Sequence, residues 1–233
     1  ETVQEVGVES MTIEFVETEY PGHLDEKGYN AIYFNNGVVN SWVQHVTVVN
    51  SDTAIGLDDF SKWITVRDIT LAGRYGHHGF NVSQTADALF EDIQVDAGYV
   101  HTFSIEHRAT GSVLSRAMSE LEFTIDHHRD GAFENLFTQI DAPVSHFHGG
   151  NFCAGWPAGA RETFWNNRGP MPLPYWGHIQ SNVIGQLDEE GVQALNLDEP
   201  MSRDREWYEH VATLEPENLY ESQLQYRLHG LPE

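Results

Sequence analysis

Short apolar motifs recur along the N-terminal two thirds of the chain at a nearly constant spacing. Each motif places apolar residues at its first, fourth and sixth positions, less completely in the last two copies. From Val43 the motifs start 23, 24, 24 and 19 residues apart. A period of this length is typical of stacked solenoid repeats. The motifs start at Val8, Val43, Val66, Phe90, Leu114 and Phe133.

A second short segment with strand character follows these motifs. Alternating apolar and polar positions rich in Thr, Val, Ile and Phe predict strands rather than helices, and polar turns separate them. The predicted second strands are 31–34, 54–57, 79–82, 102–105 and 122–125. One unit cannot bury its apolar face, whereas stacked units bury it and pair their strands. The pattern therefore predicts an all-β parallel β-helix. The alternative is an antiparallel β-sandwich, which does not require the same motif in every turn.

The two ends of the chain depart from the repeat. Residues 17–30, with Pro21 and two glycines, predict a loop inserted into the first turn of the solenoid. We expect β-helix turns over 1–150 and an irregular, partly helical C-terminal cap over 151–233, with a helix near 216–228. A solenoid needs a polar cap at each end, but the N-terminus begins almost inside a turn. We therefore also expect further turns or another domain before Glu1.

The region from Gly7 to about Gly150 resembles the pectate-lyase-like superfamily of right-handed parallel β-helices. The likeness is clearest in the segments 42–50 and 63–71, where a tryptophan precedes the apolar motif. The resemblance implies a right-handed β-helix that acts on carbohydrate. The calcium-and-basic-residue arrangement of pectate lyases does not map onto this chain.

Composition narrows the partners that such a fold could take. The 233 residues include 36 acidic and 12 basic side chains, a formal charge of −24, so we expect no nucleic-acid partner. The lone Cys153 excludes a disulfide scaffold and any site that needs several cysteines. No apolar run approaches the ~18 residues of a membrane span. We expect an extracellular or periplasmic protein whose partner is a polysaccharide.

Polar residues after the second strands predict a band of functional groups along the solenoid. Eight of the 13 histidines lie between His77 and His148. If Ile105 and Ile125 stack in one inward column, Glu106 and Asp126 stack beside them, one turn apart. Several groups that titrate near neutrality are costly together unless they serve a site, although polar ladders also stabilise solenoids. The predicted catalytic residues are Glu106, His107, Arg108, Asp126, His127, His128 and Arg129.

These residue types suit the cleavage of an acidic polysaccharide by β-elimination. Arg108 and Arg129 could neutralise a uronate carboxylate, and His107, His127 or His128 could act as the base. One alternative is a glycoside hydrolase that uses Glu106 and Asp126 as its carboxyl pair. Another is a non-catalytic adhesin, tail-spike or matrix segment, in which the band only stabilises the turns.

Further residues are predicted to bind substrate or metal. Aromatic side chains can stack on sugar rings, and histidines can hydrogen-bond to them. The substrate-binding predictions are His78, His101, Trp156, Trp165 and Trp176. The cofactor is open: a divalent transition metal could bind at His146 and His148, and Ca²⁺ could bind near Asp58, Asp59 or Asp96.

Overall fold

The computed structural model describes residues 2–148, 159–168, 180–185 and 207–230, with the backbone alone described for 144–148 and 208. These residues form a parallel β-solenoid, which confirms the predicted all-β fold. The strands are β1 (Gly7–Glu14), β2 (Asn30–Phe34), β3 (Val39–Val49), β4 (Thr53–Leu57), β5 (Lys62–Ala72), β6 (Gly76–Ser83), β7 (Leu89–Val95), β8 (Tyr99–Glu106), β9 (Val113–Ser119), β10 (Glu122–His128), β11 (Leu136–Asp141), β12 (Val144–His148), β13 (Thr163–Trp165), β14 (Asn182–Gly185) and β15 (Trp207–His210). One helix, α1 (Leu219–His229), follows them.

Successive turns of the chain contribute strands to two parallel sheets. The odd-numbered strands from β1 to β13, followed by β14 and β15, form a nine-stranded sheet, and the even-numbered strands β2 to β12 form a six-stranded sheet. Each strand pairs with its counterpart in the next turn, so outward-facing residues one turn apart lie side by side. The nine-stranded sheet continues through β13, β14 and β15, beyond the predicted boundary at residue 150.

The apolar motifs are the inward-facing positions of the nine-stranded sheet. Val43 pairs with Val66, and Val46 pairs with Ile69. Between the two inward positions of each turn lies one residue in the left-handed conformation, such as His45 (φ 54°) or Asp68 (φ 53°). Such a residue bends the strand, so two residues rather than one separate the inward positions. This bend is the physical origin of the first-and-fourth spacing of the motif.

The structure corrects the predicted register in two places. The sixth motif begins at Phe137, which pairs with Leu114, and not at Phe133. In β10, Ile125 pairs with Phe103, so His127 rather than Ile125 lies opposite Ile105. The strand β10 extends three residues beyond the predicted segment. The predicted inward column is therefore displaced by two residues at this turn.

Phenylalanines fill the core between the two sheets. Phe80, Phe90, Phe103, Phe137 and Phe164 are fully buried, and their rings meet at 5.0–6.1 Å in stacked, tilted or edge-on pairs. Aromatic pairs at such distances stabilise a core beyond the area that they bury. The core thus holds the turns in register and fixes where the outward side chains lie.

The predicted loop in the first turn is confirmed as residues 15–29, between β1 and β2. Asp52 anchors this loop to the solenoid, because its carboxylate accepts the Tyr29 backbone N–H at 2.8 Å and pairs with Arg74. Burial by itself would raise the pKa of Asp52, but the bonds from Arg74 and Tyr29 outweigh it and lower the pKa. The loop is therefore held against the outer face of the six-stranded sheet.

The C-terminal helix is confirmed, with its start at Leu219 rather than 216. Asn218 caps α1, accepting the Glu221 backbone N–H at 3.0 Å and donating to Ser115 and Gln139 on the nine-stranded sheet. Trp165 donates its indole N–H to the Pro216 carbonyl at 2.8 Å. These contacts fasten the helix to the solenoid. Of the helices in the described part of the chain, none has the length and apolarity needed to cross a membrane.

Candidate functional site

A pocket of about 320 Å³ lies between the loop 15–29 and the outer face of the six-stranded sheet. The loop contributes one wall, and strands β6, β8 and β10 contribute the floor. Most of its lining side chains are ionisable. They are His23, Leu24, His77, His78, His101, Ser104, Glu106, Asp126, His128 and Arg129.

Strand register explains why these side chains meet. His78 pairs with His101 across β6 and β8, and Glu106 pairs with His128 across β8 and β10. Neighbouring parallel strands are about 4.8 Å apart, so each pair lies in side-chain contact range. Asp126 pairs with Ser104 and is therefore a diagonal neighbour of Glu106, rather than lying opposite it as the sequence predicted.

A local distortion of β6 turns two adjacent histidines toward the pocket. The backbone N–H groups of His77 and His78 both donate to the Asp52 carbonyl, at 2.8 and 3.0 Å. The next residue is Gly79, where an added Cβ would lie 2.5 Å from the Thr102 carbonyl oxygen. Glycine allows this close approach of two strands. As a result, His77 and His78 are both partly exposed, with their rings stacked at 3.9 Å.

Asp126 on β10 lies in the pocket floor with its side chain 6% exposed. Its Oδ2 atom is 3.2 Å from His128 Nδ1 and 3.5 Å from His101 Nδ1. Burial alone would raise the pKa of Asp126, but the contact with His128 and the positive charge of nearby imidazoles outweigh it and lower the pKa. The same contact raises the pKa of His128. Asp126 and His128 therefore form a carboxylate–imidazole pair.

Glu106 and Arg129 complete this end of the pocket. Burial raises the pKa of Glu106, which favours its protonated form compared with an exposed glutamate. Arg129 is exposed, in a left-handed turn directly after β10. Glu106 thus keeps its proton more readily than an exposed glutamate does. It lines the same pocket as the imidazole of His128 and the guanidinium of Arg129.

The other end of the pocket is a cluster of imidazoles. The rings of His23 and His77 lie 4.5 Å apart, and the rings of His77 and His101 lie 5.5 Å apart. Burial is the main cause that lowers the pKa of His78 to about 2 and that of His101 to about 4. His77 Nδ1 lies 3.0 Å from the carboxylate of Glu26 on the loop. Among the described residues, His23, His77 and His101 are the one group of three or more potential metal-binding side chains whose ligand atoms converge, within 4.8 Å of one another.

Three predicted catalytic residues lie outside this pocket. His127 is fully buried in the core, with its ring 5.6 Å from that of Phe137 and its Nε2 atom 3.7 Å from Glu162 Oε2. Its location corrects the prediction, because a polymer cannot reach a side chain inside the solenoid. His107 and Arg108 lie in the turn after β8, where His107 Nδ1 is 3.0 Å from Asp130 Oδ2.

The remaining predicted binding residues have different outcomes. Trp165 is buried beneath the C-terminal segment on the nine-stranded sheet, so it fastens that segment and does not line the pocket. Trp156 and Trp176 lie outside the described residues, and so do the side chains of His146 and His148 on β12. Asp58, Asp59 and Asp96 lie in turns, and none belongs to the described group of converging metal-binding side chains.

Sequence reasoning missed His23, His77 and Glu26 as members of this site. The two histidines and Glu26 belong to elements whose packing the repeat does not predict: an inserted loop and a distorted strand. The signal available was the pair His77–His78 between Gly76 and Gly79, which departs from the alternation of an ordinary strand.

Comparisons with protein-family models, with curated proteins and with solved structures found no match to this chain.

Proposed function

We propose that this protein cleaves an acidic polysaccharide by β-elimination in the pocket of the six-stranded sheet. The observation that carries the proposal is that His128, Glu106 and Arg129 line one pocket on the outer face of the solenoid. β-Elimination from a uronate needs a cation for the sugar carboxylate, a base for the C5 proton and an acid for the leaving oxygen. The three side chains supply these groups.

Each residue takes one role in the reaction. Arg129 binds the carboxylate with its planar set of donors and stabilises the charge that develops when C5 loses its proton. The neutral imidazole of His128 takes that proton. The C4–O bond then breaks, the C4–C5 double bond forms, and protonated Glu106 gives its proton to the leaving oxygen. Protons and electron pairs balance without a further reactant.

Asp126 acts through His128 as a positioning residue. Its Oδ2 atom lies 3.2 Å from His128 Nδ1, so the carboxylate fixes the ring and leaves Nε2 for proton transfer. The raised pKa of His128 makes the neutral imidazole a stronger base. The contact with Asp126 therefore both orients the His128 ring and increases its basicity.

The test is turnover of a panel of polyuronates, followed by ultraviolet absorbance of the new unsaturated ends and by a reducing-sugar assay. We expect both signals from the wild type and a loss of roughly 10²- to 10⁴-fold in the His128→Ala variant. His45→Ala is the matched control, because His45 is an exposed histidine on the nine-stranded sheet. Unchanged turnover in His128→Ala would contradict the proposal. Absence of both signals across the panel would favour a binding function.

A glycoside hydrolase is the second candidate, and one observation favours it. The pKa of Glu106 is raised whereas that of Asp126 is lowered, as in a general acid paired with an ionised carboxylate. The two residues are diagonal neighbours on adjacent strands, a position that puts Cα atoms about 7–8 Å apart. Reducing sugar without unsaturated ends would support this candidate and contradict the lyase.

A further inference from the structure

Three histidines from elements distant in sequence converge at the loop end of the pocket. His23 lies on the loop 15–29, His77 on β6 and His101 on β8. One potential ligand atom from each lies within 4.8 Å of the other two. Imidazoles are the commonest metal ligands in proteins, and three separate elements bring these three together.

Two of the three histidines have a carboxylate close to their Nδ1 atom. His77 Nδ1 lies 3.0 Å from Glu26 Oε1, and His101 Nδ1 lies 3.5 Å from Asp126 Oδ2. Carboxylates at this position fix the ring and the tautomer of metal-binding histidines, and they leave Nε2 for the ion. Glu26 is in turn held by the Tyr20 hydroxyl at 2.7 Å and by the Leu24 backbone N–H at 3.0 Å. The carboxylate of Glu26 is therefore itself held in place next to His77.

We propose that His23, His77 and His101 bind one divalent transition-metal ion of the zinc class. Imidazole nitrogens suit zinc, copper, nickel or cobalt, whereas calcium and magnesium take oxygen ligands. Bound at about 2.0–2.1 Å in tetrahedral geometry, three nitrogens lie roughly 3.4 Å apart, so ligand atoms up to 4.8 Å apart need to approach by up to about 1.4 Å. His23 is exposed on a loop, and its side chain can make this movement.

The proposed site leaves a coordination position open to the pocket. Three protein ligands with a fourth position for water or substrate are typical of catalytic rather than structural zinc sites. Because all three histidines line the pocket, a ligand in that position would lie in the same space as a bound sugar. An ion there would also link the loop 15–29 to β6 and β8. The proposal rests on the arrangement of the histidines and not on the proposed reaction.

The experiment measures metal binding without any sugar, on protein that carries no histidine tag. Protein freed of metal with a chelator is dialysed against Zn²⁺ and, separately, titrated with Co²⁺, whose visible spectrum reports nitrogen ligands in tetrahedral geometry. We expect one ion per chain. His23→Ala should weaken binding by more than about 100-fold, and Glu26→Gln, which removes an orienting carboxylate, should weaken it by roughly 10- to 100-fold.

His45→Ala is the control, because it removes an exposed histidine that pairs with Asp68 on the nine-stranded sheet. Its affinity should equal that of the wild type. The His23 side chain is exposed, so its removal leaves the core intact, and unfolding of the metal-free variants checks this directly. No binding by the wild type, or equal binding by the wild type and His23→Ala, would overturn the proposal. Neither result depends on whether a polyuronate is cleaved.

Discussion

At the scale of single residues, the adjacent histidines His127 and His128 have opposite environments. Successive residues of a strand point to opposite faces of a sheet, so His127 enters the core and His128 faces the pocket. The buried imidazole of His127 lies near Glu162, and Asn135 donates to Glu162 at 3.0 Å. Burial raises the pKa of Glu162. His127 therefore belongs to a group of polar side chains that is buried within the core.

Replacing His127 with alanine should destabilise the fold. The change leaves a cavity between the rings of Phe137 and Phe164 in the core, at a cost of about 2–5 kcal/mol. Urea unfolding measures this cost. His107→Ala is the control, because His107 lies in a surface turn and its hydrogen bond with Asp130 contributes at most about 1 kcal/mol. Equal stability of the two variants would contradict the location of His127 in the core.

At the scale of elements, the pocket depends on how the loop 15–29 is held. Arg74 is the main anchor: its side chain is 6% exposed, it pairs with Asp52, and its guanidinium lies 5.9 and 5.6 Å from the rings of Tyr20 and Tyr29. Cation–π contacts of a desolvated guanidinium add to the ion pair. One residue thus joins both halves of the loop to the solenoid.

The Arg74→Met variant should loosen the loop and destabilise the protein by about 3–5 kcal/mol at neutral pH, because Asp52 loses its partner while buried. Limited proteolysis should then cleave within 15–29. The lowered pKa of Asp52 means that its ionised form contributes stability above its ordinary pKa of about 3.9, and this contribution is lost as the pH falls through the folded-state value. The difference between variant and wild type should therefore shrink in acid.

Arg67→Met is the control for this variant. Arg67 also pairs with a carboxylate, Glu91, but its side chain is 45% exposed and Glu91 keeps a second partner in Arg116. The expected loss is at most about 1 kcal/mol. A protected loop in Arg74→Met, or a loss in Arg67→Met as large as in Arg74→Met, would contradict the role of Arg74 as an anchor.

At the scale of the whole molecule, the stacking of successive turns brings residues that are distant in sequence together in one site. The motifs at Val43, Val66 and Phe90 predicted the solenoid because each turn must bury the same positions. The same reasoning placed Glu106, Asp126 and His128 on neighbouring strands, but it ended β10 too early and so displaced the column at His127. The repeat holds no information about Glu162, which pairs with His127 from a later turn, or about the loop that brings His23.

The acidic character of the chain and its proposed acidic substrate are compatible at this scale. The formal charge of −24 is a sum over the whole chain, whereas Arg129 and His128 lie in the pocket. Salt screens exposed charges beyond about 8–10 Å, so the groups at the pocket determine how a uronate binds. The net charge of the chain therefore affects how the polymer approaches the protein more than how the pocket binds it.

The most direct measurement of the central claim is a crystal structure of the His128→Ala variant with a uronate oligosaccharide bound. We expect a sugar in the pocket of the six-stranded sheet, with its carboxylate against the guanidinium of Arg129, its C5 facing the space left by the His128 imidazole and its leaving oxygen next to Glu106. An oligosaccharide bound on the nine-stranded sheet, or one whose carboxylate points away from Arg129, would contradict the claim.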